Sequence, residues 1–234
     1  MATHGKKYIN ALEKIQSLKK DMFSIKEALL KVKELSFAKF DESVDVNIQL
    51  NIDPAKSDQA VRGSVLLPHG TGRVVKVLVF AKGEHAEKAL KSGADYVGTN
   101  DLVDKISEGW IDFDYVVATP DMMGQIGKLA KILGPRGLLP NVKTGTVTFE
   151  VDKIVSELKK GRSFFKNDKS GAVHFSVGKV SFDANKLGDN FEAFVKALSS
   201  SRPAAAKGRF IKSVTVASSM GPGIDIDVDE LMKL

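Results

Sequence analysis

Residues 40–53 read FDESVDVNIQLNID, and the alternation within them decides how this part of the chain folds. Val44, Val46, Ile48, Leu50 and Ile52 are apolar, while Asp45, Asn47, Gln49 and Asn51 between them are polar. A period of two puts the apolar set on one face of a strand and the polar set on the other. One face enters a core and the other meets water, as in antiparallel or mixed sheets. The same texture returns far downstream in GAVHFSVGKVSF (171–182) and GRFIKSVTVAS (208–218).

Helical patterns accompany these strands. In SIKEALLKVKEL (24–35), Ser24 and Glu27 have capping-box spacing, and Ile25, Ala28, Leu29 and Val32 recur at helical intervals. NFEAFVKALSSS (190–201) reads as a second helix, ended by RPAAAKG. The middle of the chain has another texture. VVKVLVF (74–80) is a nearly continuous apolar run followed by the helical EHAEKALKSG. ADYVG and DYVVATP follow as further strands; NDLVDKISEG, DMMGQIGKLAKILG and FEVDKIVSELKKGR follow as helices. Apolar strands alternating with helices indicate βαβ units and a sheet covered on both faces. The two ends therefore predict one α+β domain, residues 1–67 with 160–234, into which an α/β domain (68–159) is inserted. Pro68, Gly70 and Gly72 punctuate one junction and Gly161 the other, and two adjacent linkers make a hinge.

At 234 residues, 43% apolar and 27% charged, the chain has ordinary globular composition with room for two cores. The absence of cysteine excludes a disulfide framework and thiolate chemistry. The basic start, MATHGKKYINALEKIQSLKK, lacks the apolar centre of a secretory signal, and no run reaches the ~18 apolar residues of a membrane span. A soluble protein of a reducing compartment, with no membrane partner, is expected. The net charge of +6 is unevenly spread: residues 68–159 hold 12 Lys+Arg against 12 Asp+Glu, so the excess lies in the two ends. An excess of this kind either seeks a polyanion, nucleic acid first, or simply serves solubility.

Catalytic and cofactor patterns are weak. HGTGR (69–73) precedes a strand instead of following one, so it fits neither the dinucleotide fingerprint nor a P-loop. His4, His69, His85 and His174 do not cluster or adopt metal-ligand spacing. Asp112 with Asp114, and Asp225 with Asp227 and Asp229, read as solvated faces. KILGPRGLLPN (131–141) follows a helix: Gly134 suits a C-cap, Pro135 stops the helix, and Arg136 stands on the turn. A well-formed helix-to-strand turn accounts for it, and an exposed arginine there could also meet RNA.

Nearer the ends, AKFDES (38–43) sets Lys39 and Phe40 at the mouth of the first strand. FKNDKSGAVH (165–174) offers Lys166, Asn167, Lys169 and His174 around a turn. A cation beside an aromatic, with amides nearby, suits phosphate contact and base stacking, but from residue type alone core packing is the favoured reading of Phe40. ASSMGPGID (217–225) follows the last alternating strand. It offers Ser218, Ser219 and Met220 with glycines either side of Pro222, a small and pliable surface just where a strand stops. Gly221 admits close backbone approach and an unusual φ.

FDESVDVNIQLNIDPAKSDQAVRG (40–63), ATPDMMGQIGKLAKILGPRGLLPN (118–141) and SSMGPG (218–223) resemble the family of the first protein of the large ribosomal subunit, in its bacterial form. The resemblance runs from about residue 4 to about 228. It implies a split α+β two-layer domain that holds ribosomal RNA, hinged to an inserted Rossmann-like three-layer α/β domain without a nucleotide cofactor. Proteins of this kind are not enzymes. They sit on the mobile stalk in the cytoplasm, help release deacylated transfer RNA from the exit site, and often repress their own messenger RNA. A monomer is expected away from the ribosome. The family's RNA-facing surface falls on Lys39, Phe40, His174, Ser213, Ser219, Met220 and Gly221; against such an RNA, the resemblance implies, Ser218 and Ser219 bond riboses, Met220 moulds to an uneven surface and Pro222 fixes the chain's path. The rival reading is a nucleotide-dependent enzyme using the insert.

Overall fold

The structure, a computed structural model, describes residues 5–17, 22–206 and 208–231. Its helices are α1 (Lys6–Ser17), α2 (Ile25–Leu35), α3 (Glu84–Lys91), α4 (Asn100–Ser107), α5 (Met123–Ile126), α6 (Ala130–Leu133), α7 (Val151–Lys160), α8 (Ala184–Ser200) and α9 (Val228–Leu231). Its strands are β1 (Ser43–Leu50), β2 (Arg62–Leu66), β3 (Val77–Phe80), β4 (Tyr96–Gly98), β5 (Tyr115–Ala118), β6 (Arg162–Lys166), β7 (Ala172–Lys179), β8 (Ile211–Ser218) and β9 (Ile224–Ile226). Two compact units result: Met1–Gly72 with Phe164–Leu234, and Arg73–Ser163.

In the split unit the sheet order is β7-β1-β8-β9, and every neighbouring pair is antiparallel. The period of two in β1 is kept: Val44, Val46, Ile48 and Leu50 are buried, and the residues between them are not. α2 and α8 cover the apolar face. α2 starts at Ser24, which takes the Glu27 N–H while the Glu27 side chain takes the Ser24 N–H. It buries Ile25, Ala28, Leu29 and Val32, the stripe expected from their spacing. From α8, Phe194 stacks on Phe175 of β7 (centroids 4.2 Å apart, planes 7° apart) and meets Phe165 of β6 edge-on at 5.6 Å. β2 and β6 form a separate two-stranded sheet, with α8 against β2. On the other face of this sheet Asp45, Asn47, Gln49 and Thr215 are half-buried and His174 and Ser213 exposed.

The inserted unit has three parallel strands in the order β4-β3-β5. Leu78, Phe80, Val116 and Ala118 pack with Leu102 and Ile106 of α4 and with Met122, Ile126, Leu129 and Leu133. α3 and α7 cover the opposite face, giving three layers. Two expected elements come out differently. The apolar run from Val74 becomes a strand only at Val77, and Val74 is 90% exposed. The Lys76 N–H goes to the Asp114 carboxylate instead of a neighbouring strand. The helix expected over 121–134 is a chain of short turns: a 3-10 turn at Pro120–Met122, α5, a 3-10 turn at Gly127–Leu129, and α6. Gly124 and Gly127 lower the preference for one continuous α-helix. Gly134 does cap α6, but with φ −59°.

At the junctions glycine is required. Gly161 ends α7 in the left-handed region at φ 113°. Gly72 has φ 70°, and a Cβ there would lie 2.9 Å from the Phe182 ring. With the structural boundaries, Lys160 and Arg162 fall in the insert, which then holds 14 Lys+Arg against 12 Asp+Glu. The split unit keeps 21 against 17, so the excess is less one-sided than the sequence boundaries suggest.

Candidate nucleic-acid interface

The open face of the four-stranded sheet is built in rows across the strands. Asn47 stands opposite His174 on one side and Thr215 on the other, and Thr215 opposite Asp225. The row is bonded: His174 Nδ1 lies 2.7 Å from Asn47 Oδ1, and Thr215 Oγ1 donates to Asp225 Oδ1 at 2.6 Å. The next row places Asp45 between Ser176 and Ala217. Toward the 218–221 turn these rows open into a groove of about 450 Å³ lined by Asp45, Asn47, His174, Ser176, Ser219 and Gly221, among others. Among the described residues, no Lys or Arg lines it. Such a groove offers hydroxyl, amide, imidazole and carboxylate groups, which suit 2′-hydroxyls and base edges better than phosphates.

His174 is set by the turn before it. Asp168 accepts from the Ser170 hydroxyl at 2.8 Å and from the N–H groups of Ser170 and Ala172 at 2.9 and 2.8 Å. The Ser170 hydroxyl and then the Ala172 N–H hold this carboxyl down to about 2, against slight desolvation, with the Ser170 N–H and His174 adding to them. His174 Nε2 lies 3.6 Å from Asp168 Oδ2. Lys166 and Lys169 are exposed beside this turn.

Two loops stand at the groove's end. In residues 36–42, Lys39 is exposed and Phe40 is 58% exposed, so Phe40 is not the core residue its type allows. In the 218–221 turn, Met220 is 53% exposed. Ser219 continues the sheet: its hydroxyl accepts from the Ser43 N–H at 3.0 Å, and its own N–H donates to the Ser43 carbonyl at 3.1 Å. Ser213 is exposed on β8, opposite Gln49.

Three residues sit differently from what their types suggest. Ser218 lines the groove but is largely buried, with its hydroxyl bonded to Glu42. Pro222 is buried as well. Gly221 is not in the left-handed region; it is glycine for lack of space, since a Cβ would stand 2.5 Å from Ser218 Oγ.

Sequence reasoning missed Glu42. It is 2% exposed and accepts from the N–H groups of Phe37, Ala38 and Met220 at 3.2, 2.8 and 3.1 Å. Burial works to raise its pKa, but the Ser218 hydroxyl and the three N–H groups outweigh it and hold the carboxyl below its ordinary value. A glutamate just before a strand reads as solvated, and its donors lie up to 178 residues away. Asn47, Ser176 and Thr215 were legible as wet positions, but pairing across strands is what makes them a surface.

In the insert, Arg136 is exposed on the turn closed by the Gly137 N–H to the Gly134 carbonyl at 3.0 Å. The β3–α3 turn is a poor phosphate cradle, because Glu84 and Glu87 occupy the first turn of α3, where a phosphate would meet like charge. His69 pairs with Asp189 at 2.9 Å, His85 packs near Phe149, and His4 lies outside the described residues. No group of three or more His, Asp or Glu able to hold a metal ion occurs among the described residues, and none of their helices is long and apolar enough to cross a membrane.

A family model described as the Ribosomal protein L1p/L10e family matches residues 32–222. The matched span includes both groove loops, the whole insert and three strands of the four-stranded sheet.

Proposed function

Because the chain belongs to the ribosomal protein L1p/L10e family, whose members are structural, non-enzymatic proteins that bind rRNA in the large ribosomal subunit, we propose that the groove of its split unit is the rRNA-binding surface. The observation that carries this reading is the groove's composition. Hydrogen-bonding side chains line an uncovered sheet face, and two loops with exposed Phe40, Met220 and Lys39 stand at its end. Folded RNA presents riboses, base edges and phosphates at different depths. The groove suits the first two. Lys39 and Lys169 beside it supply the contacts to phosphate.

The finer role follows from the resemblance. The protein stands on the mobile stalk and assists release of deacylated transfer RNA from the exit site. The insert moves on the glycine-bearing junctions at 68–72 and 161, with Arg136 as a secondary RNA contact. The same groove, offered a messenger leader of similar shape, represses translation of the protein's own message. A surface that reads shape more than sequence accepts such a mimic, which supports this second role.

The test is a filter-binding titration of the full chain against large-subunit rRNA across a salt series. Log K falls against log salt by about 0.7–0.9 per phosphate neutralised, and Lys39→Ala lowers affinity and makes the slope shallower by about one unit at most. Unchanged affinity and slope would remove Lys39 from the phosphate contacts.

A further inference from the structure

The two loops at the groove's end are joined by one side chain. No backbone hydrogen bond runs between residues 37–40 and 218–221 among the described residues. Their N–H groups converge instead on Glu42. Oε1 accepts from Phe37 and Ala38, and Oε2 accepts from Met220. The Ser218 hydroxyl adds a fourth donor. Successive N–H groups aimed at one point form a nest for an anion, and here the nest is shared between two loops distant in sequence. Each donor is one or two residues from an exposed candidate contact: Ala38 precedes Lys39 and Phe40, and Met220 is itself one.

We propose that Glu42 is the positioning residue of the RNA groove: its buried carboxylate sets the spacing between the Lys39–Phe40 loop and the Ser219–Gly221 turn before RNA arrives. This rests on the RNA-facing reading of the groove given above. Only a carboxylate has an acceptor oxygen for each loop. A glutamine keeps one acceptor and turns an NH2 group toward N–H donors on the other side. RNA binding to loops that are already spaced does not have to order them first. Asp41 secures the same loop from its far side, accepting from the N–H and hydroxyl of Ser181 at 3.1 and 2.8 Å. With Asp41 in place, loss of Glu42 frees the loop from the turn and leaves it attached to the domain.

The experiment measures the affinity of the full chain for large-subunit rRNA in four variants: Glu42→Gln, Phe40→Ala, Met220→Ala, and Glu42→Gln on a Phe40→Ala, Met220→Ala background. Alone, Glu42→Gln weakens binding by about tenfold or more, as expected when hydrogen bonds to a buried charge are lost. On the double background its effect is smaller by about threefold or more, because two of the side chains it positions are gone. In the free protein, the Ala38 and Met220 amides exchange faster in Glu42→Gln while those of Val46 and Val216 do not. A merely structural residue would act equally on both backgrounds, and that result overturns the proposal. So does normal binding by Glu42→Gln where Phe40→Ala and Met220→Ala weaken it. If those two substitutions leave binding unchanged, the RNA-facing reading itself fails and takes the proposal with it. Should Glu42→Gln not fold, Ser218→Ala removes one donor and is expected to weaken binding in the same background-dependent way; an equal effect on both backgrounds again overturns the proposal.

Discussion

A Cβ on Gly221 would stand 2.5 Å from Ser218 Oγ, and Ser218 is bonded to the buried Glu42 carboxylate. A side chain at 221 therefore either moves the Ser218 hydroxyl off Glu42 or lifts the turn. For Gly221→Val we expect a folding cost of about 1–3 kcal/mol, that of local overpacking. The loss in RNA affinity is larger, because the displaced turn carries Ser219 and Met220. Thermal midpoint and rRNA affinity measured on one sample decide it; a collapsed midpoint with normal binding by the folded fraction would make the turn structural. Ser219 also stabilises the local structure through its bonds to Ser43, so its hydroxyl is only partly available to RNA. The resemblance implied that both serines, 218 and 219, meet riboses. Which of them faces inward depends on Glu42, a partner that neither residue's neighbours in sequence reveal.

β7 carries the surface and the core on alternate residues, with His174 outward and Phe175 inward against Phe194. Phe194 is fully buried and touches two other rings. We expect Phe194→Ala to destabilise the split unit by about 3–5 kcal/mol in denaturant unfolding, the range for a large aromatic lost from a packed core. A loss below about 1 kcal/mol would mean that α8 does not brace the sheet. At this scale the sequence was most readable. The alternation of β1 and the stripe of α2 depend on local periods, and both are realised, except that β1 ends at Leu50 and leaves Ile52 half-buried beyond it. The start of β3 and the broken run over 120–133 were less readable. Val74 is apolar but unpaired, and the glycines of the run permit several helical forms without specifying one.

Across the whole molecule, one compact unit made from both chain ends carries the groove, and a second is inserted within it. In the insert, Glu84 and Glu87 in the first turn of α3 disfavour phosphate at the β3–α3 turn. The sequence's contrast of texture gave the two-part organisation. Its charge contrast overstated the division of labour, since Lys160 and Arg162 belong with the insert, and Arg162 is paired there with Glu157 at 2.6 Å. The central claim is that rRNA sits on the open sheet face and its two flanking loops. Ultraviolet cross-linking of the full chain to large-subunit rRNA, with the linked peptides identified by mass spectrometry, tests it most directly. The expected links fall on the segments holding Lys39 and Phe40, His174, and Ser219 to Gly221. Links confined to residues 73–163, with none on those segments, would contradict it.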